Sequence, residues 1–363
     1  MAIAALASTY TEARSSFLTA AEAAGARITS HPMALDGPRG EDLAIDVARL
    51  GPDDALATLL VVSGTHGVEG FAGSTCQSAW LESLSLEGPS GRSLPEGVAA
   101  VVVHAHNPYG FAWVRRVNEV NVDLNRNYGI DHRNPPANDD YDRIAEHLSP
   151  SDISPETLQV HDAALLAFGS EHGFDALQGA VSGGQYRHPD GLFYGGSEPA
   201  WSQLAMRQIV ADELSSARRV VILDLHTGLG DKGALEIITT EHPDTDGYQR
   251  TRSWFGDRVG STSGGDSVSA RLDGEWMPLA GEWLAPREVT AVALEWGTVD
   301  SVEVLQALRA DAWLHNHGDP TGPEAAPIKE RLRAAFAPGD PEWIAGVRAD
   351  FEVVVGQAIA NLT

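Results

Sequence analysis

Residues 57–70 read Ala57-Thr-Leu-Leu-Val-Val-Ser-Gly-Thr-His66-Gly-Val-Glu69-Gly70. The first six are apolar or β-branched with no polar alternation, which is the pattern of a strand buried on both faces. Such a strand needs helices on each side of its sheet. Directly after it comes a glycine-rich polar turn carrying His66 and, three residues on, Glu69. In open α/β sheets the carboxyl ends of the strands are where sites form, so this junction bears on fold and function together.

Four further runs have the same character: Val98-Ala-Ala-Val-Val-Val103, Arg219-Val-Val-Ile-Leu-Asp224, Leu235-Glu-Ile-Ile-Thr-Thr240 and Val289-Thr-Ala-Val-Ala-Leu294. Helical patterns alternate with them over residues 71–84, 155–171, 199–217, 248–256, 301–315 and 341–362. The alternation predicts a three-layer α/β sandwich, its sheet mixed but mostly parallel and its helices on both faces. No repeat or composition shift divides the chain, so a single catalytic domain over 1–363 is expected. Three Gly-, Pro- and Asp-rich stretches, 127–154, 181–196 and 261–283, are read as loops rimming a site.

The strand exits are unusually polar. The second run leads into His104-Ala-His106-Asn107-Pro108, the third into Asp224-Leu-His226-Thr-Gly228 and the last into Glu295-Trp-Gly297. A His-x-x-Glu pair on one tight turn, joined by a His from a distant strand, can supply a catalytic metal with three ligands and leave one position open. On its own the pair is also compatible with an ordinary surface turn. Asp224, two residues before His226, faces the same way along its strand, either as a partner that orients the imidazole or as a solvated strand end.

Composition narrows the function classes. The 363 residues carry a formal net charge of −26, with 43% hydrophobic and 21% charged residues. That balance is globular, and without a Lys/Arg-rich stripe it argues against nucleic acid as a partner. Cys76 is the single cysteine, so neither an intrachain disulfide nor a thiolate metal cluster can form. The first 24 residues read as an amphipathic helix rather than a signal peptide, and no run of 18 apolar residues occurs. A cytoplasmic protein without a membrane partner is therefore expected, its acidic surface serving solubility; the oligomeric state is left open.

The segment Asn107-Pro-Tyr-Gly-Phe-Ala-Trp-Val-Arg-Arg-Val-Asn-Glu-Val-Asn-Val-Asp-Leu-Asn-Arg-Asn-Tyr128 adds an ordered series of motifs. Together with His66-x-x-Glu69, His226 and Glu295 it resembles the zinc carboxypeptidases of the funnelin superfamily. The likeness spans residues 55–300 or so. With Gly184-Gln-Tyr-Arg-His-Pro189, Gly191-Leu-Phe-Tyr-Gly-Gly196 and Trp313-Leu-His-Asn-His317 it is nearest to a bacterial subgroup designated a domain of unknown function.

The resemblance implies one zinc ion per chain, held by His66, Glu69 and His226, with Glu295 as general base. It implies Arg116, or alternatively Arg115, as the oxyanion-stabilising residue, and Asn125 and Arg126 as the site for a substrate carboxylate. Tyr186 and Tyr194 are candidates for a tyrosine that caps the substrate. The expected reaction is carboxypeptidase-like hydrolysis of an amide beside a free carboxylate. The alternative is an N-acyl amino acid deacylase of the aspartoacylase type, because Asn125 follows Arg116 by only nine positions. The substrate is thus a peptide or an N-acyl amino acid.

Rival classes fare worse. Gly228-Leu-Gly230-Asp-Lys-Gly233 matches a dinucleotide fingerprint, but strand-like Ala234-Leu-Glu-Ile-Ile-Thr-Thr240 follows where a helix is required. No Gly-x-Ser-x-Gly elbow of a serine hydrolase occurs. A binding module that has lost catalysis is disfavoured by retention of all three ligands and Glu295.

Overall fold

Strands β1 (Arg27–Asp36), β2 (Asp42–Leu50), β3 (Ala57–Ser63), β4 (Val98–His104), β5 (Arg219–Gly228), β6 (Leu235–Thr239), β7 (Val259–Ser261) and β8 (Glu288–Gly297) join in one sheet of order β1-β2-β4-β3-β5-β8-β6-β7. These come from a computed structural model that describes residues 5–85 and 93–363. The central strands β4, β3, β5 and β8 run parallel, and β6 with β7 adds a fourth parallel pair. Antiparallel pairings bring in β1, β2 and β6. The sheet is mixed and mostly parallel, as expected.

Alternate residues of the buried strands supply two different cores. Leu59, Val61, Val102, Leu223 and Leu294 face helices Tyr10–Ala23, Gly70–Ser83 and Pro341–Leu362. Leu60, Val62, Val103 and Ile222 face Trp201–Glu213 and Trp276–Leu284 on the other side. This two-sided burial is why the runs lack polar alternation. A third cluster, including Ile144, Phe168, Leu308 and Phe336, lies beyond the carboxyl ends of the strands and walls the site.

The structure departs from the sequence reading in several places, helix Ala325–Phe336 and strand β7 among them. The Arg27–Asp36 and Asp42–Leu50 strands extend the sheet, although exposed residues of the edge strand and buried Asp46 and Arg49 give them no apolar run. The presumed loops 127–154 and 261–283 contain helices Asp139–Leu148 and Trp276–Leu284. Helix Phe174–Ser182 was likewise unannounced. The Gly228–Gly233 fingerprint leads into strand β6, so no helix N-terminus is offered to a pyrophosphate. Among the described residues no helix is long and apolar enough to cross a membrane.

Candidate active site

Where β3 ends, Gly64 takes φ +68°, a left-handed conformation that glycine accepts without a side-chain clash. The chain then forms a single 3₁₀ turn, Gly67–Glu69, with His66 at its start. A Cβ at Gly67 would lie 2.0 Å from the carbonyl carbon of Gly110, so the His66–Glu69 and Asn107–Gly110 turns meet backbone to backbone. Asp224 and His226 share one face of β5 because they are two residues apart. In the parallel register His226 stands opposite Glu295 of β8.

These elements bring His66, Glu69 and His226 together, one ligand atom from each lying within 4.8 Å of the others, all three residues buried. His66 Nδ1 is 2.9 Å from Glu69 Oε1, and His226 Nδ1 is 3.0 Å from Glu69 Oε2. The two Nδ1 atoms are 3.2 Å apart. The opposite ring nitrogens meet carboxylates: His226 Nε2 donates to Asp224 at 2.6 Å, and His66 Nε2 lies 3.2 Å from Asp123. With its Nε2–H committed to Asp224, His226 directs the Nδ1 lone pair at Glu69 and the His66 ring. That clustering of electron pairs calls for a proton or a cation at its centre, and the two nitrogens and one carboxylate suit zinc.

Asp224 is braced by more than His226. It accepts from Trp276 Nε1 at 2.7 Å and Thr65 Oγ1 at 2.9 Å. Thr65 in turn meets His106, whose other nitrogen lies 2.7 Å from the Tyr128 hydroxyl. Thus His106 belongs to the supporting network, and His104, paired with Ser74 and stacked on Phe17, belongs to the core.

A cavity of about 520 Å³ opens beside the triad and is lined by Arg116, Asn125, Arg126 and Glu295 as well as the three candidate ligands. Arg116 donates to Asp123 at 2.9 Å and Glu69 at 3.2 Å. Arg126, 2% exposed, gives Nη1–H to the Asn125 carbonyl at 2.9 Å and Nε–H to that of Ser182 at 3.0 Å. Both guanidiniums lie near the Phe193 ring, at 5.5 and 5.6 Å. Asn125 Oδ1 accepts from the Trp276 backbone at 3.4 Å. Arg115 is elsewhere, in a buried pair with Asp311 at 3.0 Å, so only Arg116 reaches the main cavity.

The two tyrosines do not line the cavity. Tyr186 donates its hydroxyl to the Arg126 carbonyl at 2.6 Å and so braces that residue from behind. Tyr194 is buried, and its backbone carbonyl accepts from Asp123 N.

Electrostatics divide the buried acids into two groups. Burial would raise Glu69, Asp123 and Asp224, but His66 and His226 hold Glu69 well below the usual carboxylate range, Arg116 and His66 do so for Asp123, and His226 lowers Asp224. Burial, assisted by the negative Glu69, pushes Glu295 up to about 8, although it accepts Leu229 N–H at 2.8 Å. Burial also carries Glu275 to about 7 against the opposing charge of Arg126. Glu275 lines the cavity and makes no hydrogen bond or ion pair with a described residue. It escaped the sequence reading because nothing in its neighbourhood marks it. Asp123, by contrast, sits two residues before Asn125 in the segment already singled out, but its His66 contact crosses between turns and is visible only in the fold.

One family accounts for almost the whole chain: residues 6–350 match the family described as protein of unknown function DUF2817. The chain belongs to the DUF2817 family. No curated protein matches it in sequence. Among solved structures, this DUF2817 chain resembles carboxypeptidase A from Helicoverpa armigera at 14% identity and TM-score 0.50, covering 91% of this chain and 74% of that one. It also resembles thrombin-activatable fibrinolysis inhibitor at 11% identity and TM-score 0.52, covering 98% of this chain and 74% of that one. Identities this low establish a shared fold, so the DUF2817 chain has the carboxypeptidase-like α/β architecture expected from its motifs.

Proposed function

We propose that this DUF2817 chain is a zinc-dependent hydrolase that cleaves an amide bond next to a free carboxylate. The observation that carries the reading is the sharing of one cavity by the His66–Glu69–His226 cluster, by Glu295 and by the Asn125–Arg126 pair. A zinc ion held by His66, Glu69 and His226 would supply Lewis acidity toward water and the scissile carbonyl. The chain's own residues account for the rest. Glu295, in register with His226, accepts the proton of the attacking water and returns it to the departing amine.

Arg116 reaches the same end of the cavity and opposes negative charge developing on the carbonyl oxygen. Three of its contacts, to Glu69, Asp123 and His66, fix its place. Arg126 has N–H groups beyond those given to the Asn125 and Ser182 carbonyls, and these suit a substrate carboxylate; a guanidinium presents five donors in a planar fork. Asn125 stands beside it.

Deacylation of a small N-acyl amino acid is the second reading, and one contact favours it over attack on a long polypeptide. Gln178 Nε2 donates to the Val268 carbonyl at 3.2 Å, tying helix Phe174–Ser182 to the loop at residues 262–275, both of which border the cavity. Elemental analysis tests the metal: about one zinc per chain is expected in the wild type, and much less in His66→Ala and His226→Ala. Full occupancy in both variants would overturn the assignment. A screen of peptides with free C-termini against N-acyl amino acids then distinguishes the two substrate types.

A further inference from the structure

Beyond the polar machinery, the cavity has an apolar arm. Glu295 borders it through the Leu229 backbone, and Leu229, Val302, Leu305, Leu308 and Phe336 line the same cavity; a Cβ added at Gly228 would meet both the Phe336 ring at 3.1 Å and Glu295 Oε1 at 3.7 Å. Phe336 is fixed next to the candidate ligand strand by its carbonyl, which accepts from Thr227 Oγ1 at 2.5 Å. Arg126, the proposed carboxylate site, is held by other elements, on the Asn125 and Ser182 carbonyls. An amide bound by its carboxylate at Arg126, with its carbonyl beside Glu295, therefore extends its acyl group into the apolar arm.

The same cavity exposes apolar surface that folding leaves uncovered. Of the eleven exposed large hydrophobic residues among those described, Leu166, Phe174, Leu229 and Val302 all line this one cavity. They come from separate elements, including helices Pro155–His172, Phe174–Ser182 and Ser301–Asn316. Scattered exposed apolar residues are ordinary, but convergence of four on a catalytic cavity is the arrangement of a ligand site. Polar side chains would serve equally well at such exposed positions if only acetyl or water occupied the arm.

We infer that the substrate's acyl side is a bulky apolar group, a medium-chain aliphatic or an aryl-acyl, lodged between Leu229, Leu305, Leu308 and Phe336. The inference rests on the hydrolase reading for its orientation, and it specifies the substrate class of the same site. Its volume is consistent: about 520 Å³ falls within the range that encloses a small organic ligand. Arg126 and these apolar side chains border the same cavity, so one substrate can engage both.

The test is a series of N-acetyl, N-hexanoyl and N-decanoyl derivatives of one amino acid, assayed with the zinc-loaded protein. Each buried methylene contributes a factor of about four, so N-hexanoyl should exceed N-acetyl in kcat/KM by roughly ten- to two-hundred-fold, the lower figure allowing for incomplete burial. Val302→Asp should flatten that dependence. It places an acid in the first turn of a helix already capped by Asp300, a position where negative charge is favourable, so the fold is retained. Equal kcat/KM across the series would overturn the apolar arm and leave the hydrolase reading standing. Calorimetric titration of N-acetyl-, N-hexanoyl- and N-decanoylglycine into zinc-loaded Glu295→Gln separates the remaining cases. Affinity rising with chain length supports the arm even if no amide is cleaved by the wild type, whereas chain-length-independent affinity overturns it.

Discussion

Replacing Asp224 by Asn should weaken zinc binding while leaving the hydrogen-bonding framework intact. The carboxylate is fully buried and accepts from His226 Nε2, Trp276 Nε1 and Thr65 Oγ1. Two of those donors share Oδ2, so an asparagine oxygen in that place retains both. Its amide nitrogen then faces Thr65, whose hydroxyl can turn to donate to His106 Nδ1, 3.1 Å away. What disappears is the negative charge behind His226, which makes Nδ1 a stronger donor toward a metal. Loss of such a supporting partner typically costs about 10- to 100-fold in metal affinity, or about 1.4–2.7 kcal/mol.

The pH at which affinity is measured matters. Burial opposes protonation of His226, yet Asp224 and Glu69 raise its pKa well above the ordinary value, so a metal must displace that proton. The variant relieves this competition as well as weakening the ligand. Its deficit should therefore be larger at pH 8.5, where proton competition is weaker, than at pH 7. Competition with a chromophoric chelator gives the zinc Kd at both pH values. An unchanged Kd at pH 8.5, accompanied by a lower Tm of the metal-depleted protein, would show that Asp224 supports the fold alone and would refute the argument.

Three other outcomes follow from the same geometry. Glu295→Gln should retain zinc and lose about 10²- to 10⁴-fold in turnover, since an amide cannot accept the water's proton; wild-type rates at equal metal content would move the base elsewhere. Arg126→Lys should raise KM for carboxylate substrates by keeping charge but losing the fork, and amidating the substrate should hurt this variant less than the wild type; an equal penalty in both would remove Arg126 from the carboxylate site. Glu275→Gln should raise Tm at pH 8 but barely at pH 5: burial holds the folded carboxyl near 7, above its unfolded value, so the wild type loses stability as pH rises through that interval. Parallel Tm profiles for wild type and variant would refute that assignment.

The sequence made the sheet centre and the candidate ligand triad legible for one physical reason. Strands buried on both faces, such as Leu59–Val62 and Val220–Leu223, must be continuously apolar, so the first polar residues after them stand out. Helix limits were legible where caps mark them: Ser154 with Pro155, Asp300 and Asp340 with Pro341 each begin a helix near its expected start. The antiparallel edge was hidden because Asp46, buried in β2, is neutralised by Arg14 from the first helix at 2.6 Å, a pairing across 32 residues. Tyr186 and Tyr194 were ambiguous for a related reason: an aromatic in a glycine-rich loop points wherever loop closure sends it.

The overall charge and the proposed anionic substrate also fit together once distance is considered. A net charge of −26 disfavours an anion at long range, but at physiological ionic strength mobile ions screen exposed charges beyond about 8 Å. Within the cavity, Arg116 and Arg126 approach the same Phe193 ring and are largely shielded from solvent. Of the nearby acids, Glu69, Asp123 and Asp224 are already matched to His or Arg partners, while burial favours the neutral form of Glu275. The field met by a carboxylate inside the cavity is therefore set by two arginines and the ligand cluster, not by the acidic exterior. Desolvation then strengthens that local attraction relative to the screened repulsion outside.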